Sequence, residues 1–118
     1  MIYGIGVDLT QISRIVAAQT KNVHFAKKVL TADELAAFSR LTGIRAAEFL
    51  AGRFSLKEAY AKAYGTGLGP VNLHDVECLN DVAGKPVITK HPYAGNAFVS
   101  ISHTDELVMT EVILEVAP

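Results

Sequence analysis

The sequence predicts an α+β fold, a mostly antiparallel sheet with helices packed on one face. Apolar residues recur at helical spacing through most of the first half, and the second half breaks into short segments rich in β-branched residues. The connections between those segments are too short for crossovers, so neighbouring strands must run antiparallel.

In chain order, Ile2–Asp8 is short, β-branched and ends at an acid, and reads as a first strand. Thr10–Ala18 places Ile12, Ile15 and Val16 at helical spacing, facing inward, with Thr10 as N-cap. Val23–Leu30 gives a further helical turn or two. Thr31-Ala32-Asp33-Glu34 is a capping box, opening a helix that runs to about Leu41. Ile44–Tyr64 is the longest helix, with an apolar stripe of Ile44, Ala47, Leu50, Ala51 and Phe54 and a terminator at Gly65. Gly52 inside it suggests a close approach by another backbone. Val76–Leu79, Pro86–Thr89, Ala97–His103 and Leu107–Val116 read as strands, with turns at Asp81–Gly84 and Thr104–Glu106.

The chain has 118 residues, 50% of them hydrophobic and 19% charged, which suits one globular domain spanning 1–118. Cys78 is the only cysteine and no leader is visible at Met1–Gly4, so a reducing cytoplasm is the expected compartment. No apolar run is long enough to span a membrane. The net charge of −1 hides an asymmetry, because residues 1–62 carry +4 and residues 63–118 carry −5. Either the first half meets an anionic partner or its cations belong to ordinary solvated helix faces. A pI near 6.4 and the lack of interleaved basic and aromatic residues argue against nucleic acid.

Three constellations carry potential chemistry. Asp8 closes an apolar strand, where it can hold a cation or cap the next helix. Glu58 and Lys62 are one turn apart, forming either a surface pair or a metal-binding carboxylate beside a phosphate-binding ammonium. The glycine-rich Gly65–Gly69 follows them and lets backbone approach a ligand. Ser100-Ile101-Ser102-His103 ends a strand, with Val99, Ile101 and His103 on one face and the serines on the other. Gly4-Ile5-Gly6 lacks the third glycine and crossover of a dinucleotide fingerprint, and Gly65–Gly69 lacks the Lys-Ser/Thr of a Walker loop. Cys78, His24, His74, His91 and His103 lack zinc spacing.

Together, Gly4-Ile5-Gly6-Val7-Asp8, Phe54-Ser55-Leu56-Lys57-Glu58-Ala59-Tyr60-Ala61-Lys62-Ala63, Gly65-Thr66-Gly67 and Ser100-Ile101-Ser102-His103 resemble the holo-acyl-carrier-protein synthase family of phosphopantetheinyl transferases. The resemblance covers essentially the whole chain. It implies transfer of 4′-phosphopantetheine from coenzyme A to a serine of an apo acyl carrier protein, with Mg²⁺ as cofactor and adenosine 3′,5′-bisphosphate as product. Asp8 and Glu58 become the expected metal ligands, and Glu58 and Lys62 the catalytic pair. Lys62, Arg53, Lys57 and His103 become phosphate partners, with Gly65, Gly67, Pro86 and Ser102 also at the coenzyme. Arg14, Lys21 and Phe25 are expected to face the acidic carrier protein. The resemblance also implies a homotrimer whose nucleotide site is shared between subunits. The rival reading is a non-catalytic α+β interaction module that binds an acidic protein through its basic helices.

Overall fold

A computed structural model describes all residues from Met1 to Pro118. Its elements are β1 (Ile2–Gln11), α1 (Ile12–Lys21), α2 (Phe25–Val29), α3 (Ala32–Ser39), α4 (Gly43–Tyr64), a 3₁₀ turn (Leu73–Asp75), β2 (Glu77–Asn80), β3 (Pro86–Lys90), β4 (Asn96–His103) and β5 (Leu107–Glu115). All strand pairs are antiparallel, as the short connections require. They form two sheets rather than one: a three-stranded sheet in the order β1-β5-β4 and a separate β2–β3 hairpin.

Period-two alternation gives the larger sheet two different faces. On one, Gly6 pairs with Val112 and Asp8 with Thr110, while Val99 and Ile101 of β4 line up beside them. This face is covered by α4, whose Leu56, Ala59, Tyr60 and Ala63 share a core with Val112 and Leu114. The other face carries Ile5, Val7, Leu9, Phe98 and Met109, and remains open: Ile5 is 55% exposed, Phe98 54% and Leu9 63%.

The glycines of β1 explain how closely α4 sits. A Cβ on Gly4 would collide with the Ala63 carbonyl oxygen, and one on Gly6 with that of Ala59. The paired glycines therefore serve strand–helix contact. Gly52 does not: the nearest atom to its missing Cβ is Ile101 Cγ2 at 3.7 Å, an ordinary contact and no backbone approach.

Local signals hold unevenly. The capping box of α3 is present, with Thr31 Oγ1 accepting from the Glu34 amide and Glu34 Oε1 accepting from the Thr31 amide. For α1 the start is corrected. β1 continues to Gln11, the Thr10 hydroxyl turns to Asp8, and the N-cap is Gln11 without a capping side chain. Ile12 and Ile15 are buried, but Val16 is half exposed and not inward as expected.

Lys57 is a second correction. Its Nζ donates to Glu34 Oε1 at 2.6 Å and to the Val29 carbonyl at 2.7 Å, and both side chains of the pair are fully buried. Glu34 Oε2 accepts from the Cys78 amide, so one ion pair ties α4 to α3, β2 and the end of α2. Burial lowers the Lys57 pKa, and Glu34 opposes that shift. This lysine cannot reach a phosphate in solvent.

Candidate active site

The β1–α4 contact brings Asp8 beside Glu58 and Lys62. Asp8 Oδ2 accepts from Thr10 Oγ1 at 2.6 Å and from Ser55 Oγ at 2.8 Å. Lys62 Nζ donates to the Val7 carbonyl at 2.9 Å and lies 3.5 Å from Asp8 Oδ1. Asp8 caps no helix, so the alternative of a helix-capping acid is settled against. Glu58 takes up a proton above the usual carboxylate range, first through burial and then through the charge of Asp8, with Lys62 pulling the other way. Two neighbouring carboxylates with a single ammonium beside them make a site that gains from a cation.

Donor chemistry narrows which cation. No third carboxylate, imidazole or thiolate joins the pair. Two hard oxygen donors suit Mg²⁺, which is commonly held by one or two carboxylates with the remaining positions left to phosphate and water. They do not suit zinc, whose three or four protein ligands are mostly imidazole and thiolate, neither of which is at hand.

Asp8 and Glu58 open into a cleft of about 390 Å³ lined also by Thr10, Arg14, Phe25 and Phe54. Arg14 and Phe25 therefore join the carboxylates, with the Phe25 ring 6.2 Å from that of Phe54. Lys21 is exposed on α1 but does not line this cleft.

The remaining residues divide. Arg53, Pro86 and His103 line a different cleft of about 400 Å³, together with Arg45, Glu48 and Asn80, and it shares no residue with the first. There His103 Nδ1 lies 3.2 Å from Glu48 Oε2. Arg53 is largely buried, its guanidinium donating to the Cys78 carbonyl and Asn80 Oδ1, 4.3 Å from the Phe49 ring centroid. Ser102 pairs with Met109 on the open sheet face, away from His103. Gly65 and Gly67 adopt φ of 99° and 68°, and their amides, with that of Thr66, all donate to the Ala61 carbonyl. These glycines end α4, and their N–H groups are not free for a phosphate.

The sequence model of the 4′-phosphopantetheinyl transferase superfamily matches residues 4–116. The chain belongs to that superfamily. This phosphopantetheinyl transferase is 64% identical over 115 residues to the holo-[acyl-carrier-protein] synthase of Lacticaseibacillus casei, covering 98% of this chain and 93% of the relative. Its identity to the synthase of Latilactobacillus sakei is 58%, over 98% of each chain. Among solved structures, the holo-(acyl-carrier-protein) synthase of Bacillus anthracis in complex with CoA (3′,5′-ADP) superposes with a TM-score of 0.90 at 41% identity, covering 97% of this chain and 96% of the other. The synthase of Neisseria meningitidis gives 0.88 at 33% identity, over 98% and 99%.

Sequence reasoning passed over the residues around Asp8. Thr10, Ser55 and Thr110 supply its hydroxyl environment, and Glu48 faces His103. The first three were discoverable in part, since Thr10 shares the face of Asp8 in a strand.

Proposed function

We propose that this transferase moves 4′-phosphopantetheine from coenzyme A to a serine hydroxyl of an apo acyl carrier protein, releasing adenosine 3′,5′-bisphosphate. The observation that carries the reading is the meeting of Asp8 and Glu58 in a cleft that also holds Arg14 and Phe25, with Lys62 beside Asp8. Family membership and the names of the relatives support the same chemistry.

Asp8 and Glu58 would hold Mg²⁺, which when bound neutralises pyrophosphate oxygens. Lys62, half exposed one turn from Glu58, adds positive charge where the pyrophosphate would lie. Glu58 has raised proton affinity and is also a carboxylate able to take the serine proton. The serine oxygen attacks the β-phosphate, a P–O bond to the bisphosphate breaks, and its electron pair leaves with the product. Arg14 and Phe25 offer a charge and an apolar ring to an acidic helix of the carrier.

A homotrimer is part of the proposal. The open face of Ile5, Val7, Leu9, Phe98 and Met109 is more apolar than a solvated sheet usually presents. The cleft of Arg53, Pro86 and His103 lies apart from the carboxylates, which fits a nucleotide held between subunits. No helix is long and apolar enough to cross a membrane, and the sole cysteine is free and buried, in keeping with a proposed cytoplasmic location.

The test is incubation with coenzyme A, Mg²⁺ and an apo carrier protein, followed by mass spectrometry of the carrier. Wild type should add one phosphopantetheine arm; Asp8→Asn and Glu58→Gln should fold but transfer almost nothing. Substantial transfer by either variant at ordinary Mg²⁺ removes the metal assignment, and no modification by wild type favours the interaction-module reading.

A further inference from the structure

The two oxygens of Asp8 have different surroundings. Oδ2 accepts two short hydroxyl hydrogen bonds, from Thr10 and Ser55, whereas Oδ1 has only the 3.5 Å contact with Lys62. Proton counting fixes the direction of the chain behind Oδ2. Ser55 has one hydroxyl hydrogen and gives it to Asp8, so the 2.8 Å contact between Ser55 Oγ and Thr110 Oγ1 must use the hydrogen of Thr110. Ser55 and Thr110 are fully buried, on α4 and β5, and neither has water as an alternative partner.

We infer that Ser55 is a positioning residue that confines Asp8 to one free oxygen and so biases the site toward Mg²⁺ over Ca²⁺. The inference rests on the reading of Asp8 as a metal ligand. With Oδ2 held by two donors, the carboxylate cannot rotate to present both oxygens to the cleft. Ca²⁺ gathers roughly six to eight oxygens and readily takes both oxygens of a carboxylate, whereas Mg²⁺ demands an octahedron of about six and is content with one. Pinning one oxygen therefore costs Ca²⁺ more than Mg²⁺. Orientation by a hydrogen-bonded outer partner is a general means of tuning a metal ligand. Here the partner is built into the same helix that carries Glu58, so both ligands are aligned by one rigid element.

The experiment is displacement of Mn²⁺ by Mg²⁺ or Ca²⁺, followed by electron paramagnetic resonance. It uses the full chain with coenzyme A and without carrier protein, counting binding beyond that of coenzyme A alone. Ser55→Ala should weaken Mg²⁺ roughly tenfold while Ca²⁺ stays within about twofold, narrowing the preference. Thr110→Val leaves the Ser55 hydrogen on Asp8, so its preference should stay near wild type. Melting temperatures are recorded alongside. A Ser55→Ala protein that melts lower but keeps the wild-type ion preference shows a purely structural serine and overturns the inference. Should that variant not fold, Thr10→Val removes the other donor to Oδ2 and is held to the same outcome. Asp8→Asn separates the two readings. Loss of Mn²⁺ there, with an unchanged preference in Ser55→Ala, overturns only the inference; Mn²⁺ retained in Asp8→Asn overturns the metal assignment and the inference together.

Discussion

Lys57 and Lys62 sit on one helix within one motif, and the fold uses them in opposite ways. Lys57 is fully buried in a 2.6 Å pair with Glu34, while Lys62 is 52% exposed and leans toward Asp8 at 3.5 Å. Helical phase makes the difference. Lys57 shares the inward side of α4 with Arg53, Leu56 and Tyr60, whereas Glu58 and Lys62 lie one turn apart along the flank that meets β1. The contrast shows that a basic first half overstates the charge available to a ligand. Arg53 and Lys57 are committed to internal partners, so a count of cations along the chain is not a map of its surface field.

The sharpest way to break this comparison is Lys57→Met. It leaves Glu34 buried without its counter-charge and should lower the unfolding free energy by about 3–5 kcal/mol. Chemical denaturation measures this. The folded fraction should bind coenzyme A as wild type does; weaker binding at unchanged stability would return Lys57 to the site. Lys62→Ala should do the reverse. Stability should barely change, and calorimetry should show coenzyme A affinity falling roughly tenfold to a hundredfold, as for a lost hydrogen bond to a charged group.

Arg14→Glu asks how far the exposed side of the comparison extends, from the helix-borne lysine to the rim of the cleft. Such a charge governs encounter more than bond making. The KM for the carrier protein should rise severalfold and lose much of its dependence on ionic strength, with coenzyme A affinity unchanged. Steady-state kinetics at low and high salt would show this, and kinetics matching wild type at low salt would remove Arg14 from the carrier surface.

The smallest effect lies on the buried side. Tyr60 Oη accepts from the Tyr93 amide at 3.0 Å and lies 2.9 Å from His91 Nδ1, which in the neutral imidazole can take the phenol hydrogen. Burial holds the His91 pKa below 6.5 and pushes that of Tyr60 up to about 12. Because the unfolded chain binds the His91 proton first, stability is complete above pH of about 6.5 and declines as pH falls toward the folded pKa. His91→Asn keeps an oxygen for Tyr60 but does not titrate. Its melting temperature should fall less steeply between neutral and mildly acidic pH, and an unchanged slope would mean that His91 contributes nothing to acid sensitivity.

Much of this arrangement was readable from the sequence, and the failures have physical causes. The α3 capping box is a purely local device, and Thr31 with Glu34 formed as its spacing required. Antiparallel pairing followed from loop length. Asp8, Glu58 and Lys62 came together because strand alternation and helix phase both survive folding. Thr10 failed as a cap because a strand partner on β5 extended β1 through it, a tertiary effect that local pattern does not contain. Lys57 failed because its partner Glu34 is supplied by another helix. The division into two sheets escaped notice because alternation shows which residues share a face, not which strand each will join.

The glycine contact of β1 with α4 has a consequence for tolerance. Asp8 is two residues from Gly6, and Glu58 is adjacent to Ala59, whose carbonyl Gly6 touches. The spacing of the two backbones that carry the carboxylates is thus gauged by main chain resting on main chain, with no side chain in between to compress or swing aside. A side chain placed at Gly6 would act as a shim and displace a whole strand, a change that no choice of rotamer at Asp8 or Glu58 could undo.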